Sequence, residues 1–425
     1  MKKRVLVLNC GTTASTDINM MLRNNDEYEI WGASTHKNHG IYVYKNYIED
    51  IPNMNDENFI SVLNQKIDEY DFKFIIPQHD DLVLFMQENK ESIRATIISS
   101  PLETAILCRY KSKLYSKIEE FDYCPKVYST EGIQEYPVFA KIDNDQGGRN
   151  AFLIQNKEEL DFYNNRFKNL VICEYLPGIE VTVDCLTDKN GKLKVCIPRY
   201  ADRMLAGIDV HSSTVEDQEE IRNIAESLKK NISFKGYWFF QVKKSKEGKY
   251  KVLEISSRFA GGIAYAKAFD LNLPLMSIRE FDEDAVNIAN YNSDIMCNAD
   301  KQFWTRYILT DKNGKRLDFK KFVIDKACFE IQVNPMLMML VYQEKNKGNT
   351  IIITYENEED KEKVLSYLKN NNISPDLFDI VHSGIENSSD DETVYISRND
   401  LAKHKSEIKY HYTLNNIDVL LDWKG

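Results

Sequence analysis

The chain has 425 residues, with 55 Lys and Arg against 66 Asp and Glu, a net charge of -11. At about 100–200 residues per domain, this length predicts about two to four domains. A content of 43% apolar and 28% charged residues lets each domain bury a core and argues against disorder. The acidic balance argues against non-specific binding to nucleic acid or an anionic membrane, and no apolar run approaches the ~20 residues of a membrane span. The opening MKKRVLVLNCG carries an apolar run too short for a signal peptide, so a cytoplasmic protein is expected. Eight scattered cysteines without a CxxC pair fit reduced thiols better than disulfides or zinc.

Residues 1–105 alternate strands and helices. VLVLNC, YEIWGAS and FKFIIPQ read as strands. TDINMMLRNN begins a helix, and ENFISVLNQKIDEY is amphipathic, with Phe59, Val62, Leu63 and Ile67 on one face. Such alternation with short joins predicts a parallel, Rossmann-like sheet, with ligands at the strand ends. The segment after the first strand reads NCGTTAST, without GxGxxG, so no dinucleotide is inferred. Residues 106–295 change character. TVDCLTDKNGKLKVCIP turns at Asn190-Gly191, and GYWFFQVKKSKEGKYKVLEISSR turns at Glu247-Gly248, with the amphipathic helix DQEEIRNIAESLKKNI between them. This predicts an α+β domain of antiparallel strands. Residues 296–425 return to β/α alternation and end in a helix-like tail. TDKNGK occurs twice, at 187–192 and 310–315, as a turn signature.

If Glu247-Gly248 form a two-residue turn, Gln241 lies opposite Glu254 and Phe239 opposite Ser256, at ~5 Å. Period two then puts Glu254, Ser256 and Arg258 on the same face. Oxygen ligands on adjacent strands suit Mg²⁺, and an arginine beyond them suits a phosphoryl oxygen. A solvated hairpin with a surface Glu–Arg contact fits the same residues. Lys141 sits inside the apolar strand PVFAKI, where a lysine is costly unless it meets an anion. DNDQGGRN follows, and its paired glycines let backbone N–H groups approach phosphates. An edge lysine reaching water is the alternative. In LVICEYLPGIEV, Glu174 and Glu180 flank Pro177-Gly178, a junction whose backbone can read an adenine edge, or equally an ordinary bulged strand. Arg199 and Arg203 offer charge to phosphate or to a carboxylate. His211 reads as structural or exposed, and His79, Asp80 and Asp81, after the strand FKFIIPQ, offer a place for substrate recognition but read rather as caps of the following helix.

In order and spacing, VFAKIDNDQGGRN, CEYLPGIEVTVD, PRYADR…G and FFQVKKSKEGKYKVLEISSRFAGG resemble the ATP-grasp superfamily, and most closely its carbamoyl-phosphate-synthase-like branch. The resemblance covers roughly residues 1–295. It implies a Rossmann-like N-terminal domain, a two-lobed ATP-grasp domain, and ATP with Mg²⁺. Lys141, and Lys113 before the helix LYSKIEEF, match the phosphate-binding lysines. Gly147 and Gly148 match the loop over the triphosphate. Glu174, Tyr175 and Leu176 match the adenine hinge, and Glu180 the ribose-binding acid, while Arg203 falls in the segment that offsets phosphate charge. Gln241, Glu254 and Ser256 match the metal ligands, with serine where the family has asparagine. Arg258 matches the arginine that steadies the phosphoryl group. The implied reaction joins a small-molecule carboxylate to an amine through an acyl phosphate, and a homodimer is the implied assembly. A nucleotide-binding scaffold or sensor without turnover is the alternative.

KKFVIDKACFEIQVNP, IIITYENEEDKEKVLSYLKNNNI, FDIVHSG and ETVYISRNDLAKHKSEI resemble successive segments of haloacid-dehalogenase-like (HAD-like) phosphatases. Asp325 matches the nucleophile and Thr354 the Thr/Ser position. Ala327 replaces the second acid, and Ser397 and Arg398 replace the terminal acidic pair. The expectation is an α/β domain of that fold without phosphatase chemistry, in which Asp325 is a structural strand-end acid.

Overall fold

Short apolar runs that cannot close a helix find partners side by side. Strands β1 (Lys3–Leu8), β2 (Tyr28–Ala33), β3 (Asn46–Ile48), β4 (Phe72–Pro77) and β5 (Thr96–Ile97) form a parallel sheet of order β3-β2-β1-β4-β5. The central β1 has Val5, Leu6 and Val7 fully buried, the uninterrupted apolar run of a strand covered on both faces. The computed structural model describes residues 2–145, 150–205, 208–285, 291–292, 295–301, 305–330, 332–383, 391–398 and 408–421. It divides into two units, residues 1–264 with 273–287, and residues 265–272 with 288–425.

In the first unit the helix Thr13–Leu22 begins where the Thr12 hydroxyl accepts the Ser15 N–H. The helix Phe59–Tyr70 buries Phe59, Leu63 and Ile67 as its period predicts, and Val62 lies half-buried at the margin.

Two antiparallel sheets follow. The smaller comprises β6 (Val127–Tyr128), β7 (Val138–Ile142), β8 (Ala151–Ile154) and β9 (Leu170–Glu174), in the order β6-β9-β7-β8. The larger contains, in spatial order, β14 (Tyr250–Ser256), β13 (Gly236–Lys244), β10 (Val181–Thr187), β11 (Leu193–Leu205) and β12 (Ile208–Thr214). Along β13, Trp238, Phe240 and Val242 enter a core shared with Ile221, Ile224 and Leu228 of the helix Glu219–Asn231. Phe239, Gln241 and Lys243 point to the opposite face, as a pleated strand requires.

The hairpin loops differ from the two-residue turns expected. Ser245 N–H donates to the Lys249 carbonyl and Gly248 N–H to the Ser245 carbonyl, leaving three loop residues, 246–248. Gly248 takes φ 80°, the left-handed position that ends such a loop. Asp188–Lys192 and Asp311–Lys315 close the same way, with glycine at φ 76° and 78°. In each of these two loops the first Asp accepts two loop N–H groups, which explains the repeated DKNGK. The shorter reach of the 246–248 loop is offset by a β-bulge at Leu253. Gln241 therefore still pairs with Glu254, and Phe239 with Ser256. The bulge also reverses the face of β14. Tyr250 and Val252 are core residues, and strict alternation would send Glu254 into the core behind them.

In the second unit, β15 (Met296–Lys301) and β16 (Thr305–Thr310) form a hairpin. Strands β17 (Lys321–Asp325), β18 (Thr350–Tyr355), β19 (Asp379–His382), β20 (Thr393–Ser397) and β21 (His411–Thr413) form a parallel sheet of order β19-β18-β17-β20-β21. This is the connectivity of the first sheet repeated. Asp325 ends β17 in register with Thr354, and its carboxylate accepts the Ala327 N–H at 2.8 Å. Residues 399–407 of the expected helical tail lie outside the described residues. Residues 422–425 do as well, and the described part corrects the expectation: His411–Thr413 pairs as a strand and Ile417–Leu420 is a 3₁₀ turn. A buried chain unseen in the sequence runs from the Ser397 hydroxyl to His411 Nε2 at 2.9 Å, and from His411 Nδ1 to Asp270 at 2.8 Å. Asp270 also accepts from Thr413 and Asn416.

Candidate active site

The two antiparallel sheets of the first unit border a cavity of about 450 Å³. Phe139, Lys141 and Ile142 come from β7. The segment Cys173–Leu176 forms one edge, and Glu180, Thr182, Gln241, Leu253, Glu254 and Arg258 come from the larger sheet. Thr12–Ala14, at the start of the first helix, and Gln78 and His79, after β4, reach the same space.

Lys141 follows the fully buried Ala140 and is itself only 7% exposed. Its ammonium donates to the Leu253 carbonyl at 3.1 Å and stands 5.3 Å from the Tyr115 ring centre. That carbonyl, at the β-bulge, also accepts the Tyr115 hydroxyl at 2.7 Å. Burial pushes the Lys141 amine below the ordinary lysine range, against the opposing charges of Cys173 and Glu254.

Besides Lys141 the cavity is lined by Lys111 and Lys243, and not by Lys113. Lys113 is exposed over Tyr110, 5.0 Å from its ring centre, and off the lining. Lys111 is buried and donates to the Asp145 carbonyl. Two steps along a helix turn a side chain to the other side, so the choice of lysine decides which way it points. Gly147 and Gly148 lie outside the described residues.

Glu174, Tyr175 and Leu176 all line the cavity. Glu174 accepts the Lys126 N–H at 2.8 Å, which fixes the strand end beside the cavity. Glu180 accepts from Gln241 Nε2 at 2.8 Å and lies 3.8 Å from Lys243. Burial raises the Glu180 carboxyl above its usual range, and Lys243 only partly opposes this.

The register aligns a polar row across the larger sheet: Glu254, Gln241, Thr182 and Arg199 on successive strands. Gln241 commits its amide nitrogen to Glu180, leaving its oxygen for another partner. Glu254 and that oxygen fit Mg²⁺, which takes one or two carboxylates alongside phosphate oxygens and water. No cluster of three or more His, Cys, Asp or Glu suited to a metal occurs among the described residues. Ser256 does not join the set. Its hydroxyl donates to Asp80 Oδ1 at 2.8 Å, and Asp80 Oδ2 accepts Arg258 Nε at 3.0 Å. Burial alone would raise Asp80, but Arg258 and the Ser256 hydrogen bond outweigh it and hold the carboxyl low. Asp80 thus braces Arg258, whose guanidinium also lies 5.4 Å from the Phe239 ring centre.

The HDD triplet does more than cap. His79 is the N-cap, with its ring nitrogen accepting the Asp81 N–H at 3.3 Å, and Asp81 pairs with Arg109. The role of Asp80 was not legible in sequence, because its partners lie 176 and 178 residues away.

The two further arginines separate. Arg203 is exposed, opposite His211 in the β11–β12 register and off the lining. Arg199 lines the cavity but is fully buried and already engaged. It donates to Asp184 at 2.9 Å, to Asp209, to Ser212 at 3.4 Å and to the Gly261 carbonyl at 2.9 Å. It is therefore unavailable to a phosphate or carboxylate.

A family described as ATP-grasp in the biosynthetic pathway with Ter operon matches residues 166–302. No curated protein matches the chain. Among solved structures, N5-carboxyaminoimidazole synthetase from Staphylococcus aureus, complexed with ADP, is 14% identical. The match covers 71% of this chain and 83% of that one, with a TM-score of 0.59. Biotin carboxylase from Campylobacter jejuni is 13% identical over 71% and 76%, with a TM-score of 0.57. L-amino acid ligase from Bacillus licheniformis is 14% identical over 70% and 79%, with a TM-score of 0.56. Two antiparallel sheets that border one cavity, following a Rossmann-like parallel sheet in the chain, together with these likenesses, establish the ATP-grasp fold in this chain.

Proposed function

We propose that the chain is an ATP-dependent carboxylate–amine ligase, forming a C–N bond with release of ADP and phosphate. The observation that carries this reading is a buried ammonium, Lys141, and a carboxylate, Glu254, on two sheets that border one cavity. Solved relatives of the same fold hold ADP or are named as an amino acid ligase. Lys141 and Lys111 hold the phosphates, and Gly147 and Gly148 keep the triphosphate-loop role that the resemblance implies. Tyr175 and Leu176 read the adenine beside Glu174, and Glu180 accepts ribose hydroxyls. Glu254 and Gln241 hold Mg²⁺, which when bound neutralises phosphate charge. A substrate carboxylate oxygen attacks the γ-phosphorus and ADP leaves. Lys141 and Arg258 offset the charge that develops. The amine nitrogen then attacks the acyl carbon, phosphate leaves, and the nitrogen loses a proton. Little covalent chemistry falls to the protein.

The domains of this reading are a Rossmann-like region (1–105), the ATP-grasp region (106–295) and a degenerate HAD-like region (296–425). For the last, support comes from the repeated strand order and from Asp325, whose carboxylate is occupied as a cap. Without acids at Ala327, Ser397 and Arg398, it serves packing, assembly or carrier binding. The partners are small-molecule carboxylates and amines, in a cytoplasmic homodimer that binds neither nucleic acid nor membrane. No helix among the described residues is long and apolar enough to cross a membrane.

The test is ADP release across a panel of amino acids and sugar acids with amines, with product masses. Substrate-dependent ADP is expected. No ADP from any pair, together with no nucleotide uptake, removes the ligase reading. The commitment of Ser256 to Asp80 favours a second reading, a nucleotide sensor with a weakened metal site. Trapping of an acyl phosphate by hydroxylamine excludes that sensor. Two variants separate the site residues further. Lys111→Ala is expected to raise the KM for ATP about tenfold or more, as loss of a charge-assisted contact, and Lys113→Ala to leave it unchanged. Ser256→Ala is expected to leave the Mg²⁺ dependence of ADP release unchanged and to lower stability by about 1–3 kcal/mol, read from denaturant melts.

A further inference from the structure

The first sheet runs β3-β2-β1-β4-β5, so its chain order reverses between β1 and β4. At such a switch point the segments leaving two neighbouring strands part, and a crevice opens at their carboxyl ends. Leu8 of β1 pairs with Pro77 of β4, and the Gln78 N–H donates to the Leu8 carbonyl at 3.1 Å. Thr12, Thr13 and Ala14 enter this crevice after β1, and Gln78 and His79 after β4. All five line the proposed ATP cavity. The wall they form adjoins Arg258, because Asp80, which follows His79, holds that arginine.

The wall carries hydrogen-bonding groups that the protein leaves open. The helix Thr13–Leu22 starts here with no acid in its first turn. The Thr12 hydroxyl takes the Ser15 N–H, and the Thr12 carbonyl takes the Thr16 N–H. The N–H groups of Thr13 and Ala14 have no partner among the described residues. At the positive end of the helix they are donors suited to an anion. Across the crevice, Gln78 is only 3% exposed. Its amide nitrogen donates to the neighbouring Pro77 carbonyl at 3.3 Å, whereas its oxygen has no hydrogen-bond partner among the described residues and is not sealed from solvent. A polar atom left open on so buried a residue, at a cavity wall, points to a ligand. The nearby acids do not repel an anion, since Asp80 is paired with Arg258 and Asp81 with Arg109. The wall thus offers donors for a carboxylate and an acceptor for an N–H or O–H beside it.

We propose that this wall is the acceptor pocket of the ligase and that the acceptor is an α-amino acid, its carboxylate on the Thr13 and Ala14 N–H groups and its amine donating one N–H to Gln78 Oε1. The inference rests on the ligase reading and names the class of its second substrate. Arg258 receives the carboxylate that ATP activates, so a carboxylate at the helix start belongs to the other substrate. In an α-amino acid the amine and the carboxylate share one carbon, which lets one small wall hold both. The attacking amine is neutral, and giving one N–H to Gln78 leaves its lone pair free for the acyl carbon. A hydroxyl can make the same contact, so hydroxy acids enter the pocket as well. Discrimination falls on the carboxylate: amino acids are preferred to their α-amides and to simple alkylamines, and the product keeps a free carboxylate.

Thr13 is the first helical position, where proline is tolerated, and Thr12 before it has ψ 158°, an extended backbone that proline accepts. Thr13→Pro therefore removes one of the open N–H groups and keeps the helix. ADP release is measured on the full chain with Mg²⁺, ATP and the acid panel, and the acceptor probes are L-alanine, L-serine and L-glutamate, their α-amides, and ethylamine. In wild type the KM of an amino acid is expected to lie about tenfold or more below that of its amide, the range for a lost charged hydrogen bond. Thr13→Pro is expected to raise the amino acid KM about tenfold and to narrow its advantage over the amide. Gln78→Leu is expected to raise both about two- to tenfold, as loss of a neutral hydrogen bond. In both variants the ATP KM, the melting temperature and the hydroxamate formed from the acid with hydroxylamine are expected to hold. Equal KM values for amino acids and amides in wild type overturn the proposal. So does an unchanged amino acid KM in Thr13→Pro, or a rise confined to the acid substrate. If Thr13→Pro melts early, the wild-type comparison and Gln78→Leu decide. Hydroxamate without ligation of any amino acid overturns the acceptor pocket alone, whereas absence of ADP and of hydroxamate in wild type overturns the ligase reading and this inference with it.

Discussion

Replacing Arg199 by methionine is expected to lower the free energy of unfolding by about 3–5 kcal/mol, the penalty for breaking a buried ion pair from one side. Arg199 is fully buried, and two strands and a loop depend on it at once. It ties Asp184 of β10 and Asp209 of β12 to the Gly261 carbonyl. Methionine fills much of the volume, so the loss is electrostatic: Asp184 and Asp209 remain buried with no cation between them. Burial would lower the guanidinium's affinity for its proton, but the two carboxylates more than reverse this, so Arg199 stays charged across the usable pH range. Equilibrium urea unfolding measures the effect, and a change below about 1 kcal/mol would mean that the cluster is solvated rather than buried. A triple variant with Asp184→Asn and Asp209→Asn should recover part of the loss, since the destabilisation comes from stranded charge.

Lys141→Ala is expected to lower kcat/KM for ADP release by about 10²–10³-fold, the scale of removing one preorganised group that stabilises developing charge. Fold stability is expected to change little, because the ammonium is held mainly against desolvation and the Leu253 carbonyl keeps the Tyr115 hydroxyl. A melting curve like that of wild type, beside a collapse in ADP release, separates this role from a structural one. The same burial predicts a pH signature. The free protein loses the Lys141 charge at lower pH than an ordinary lysine would, so ATP affinity falls early on the alkaline side, and Lys141→Ala removes that dependence.

What the sequence conveyed follows the range of the interactions. The pairing of Gln241 with Glu254 was legible because it lies within one hairpin. It held for a reason the sequence did not display: a three-residue loop and a bulge at Leu253 offset one another. The bulge also carries Glu254 to the cavity face, and a period-two pattern has no mark for that. Lys141 stood out as a lysine in an apolar strand. Lys111 did not, since choosing between two lysines two residues apart requires the phase of their helix. Asp80 read as a helix cap, because nothing near it announces Arg258 or Ser256. Asp209, which meets Arg199 from the neighbouring strand, lies in IDVHSS, an unremarkable polar stretch. Only the folded register reveals that contact.

The most direct test of the account is a crystal structure with Mg²⁺ and a non-hydrolysable ATP analogue. The account predicts the terminal phosphates within hydrogen-bond reach of Lys141 Nζ, the metal between them and Glu254, and the adenine against Tyr175 and Leu176. A nucleotide bound elsewhere, or an occupied cavity in which Lys141 and Glu254 touch neither phosphate nor metal, contradicts it.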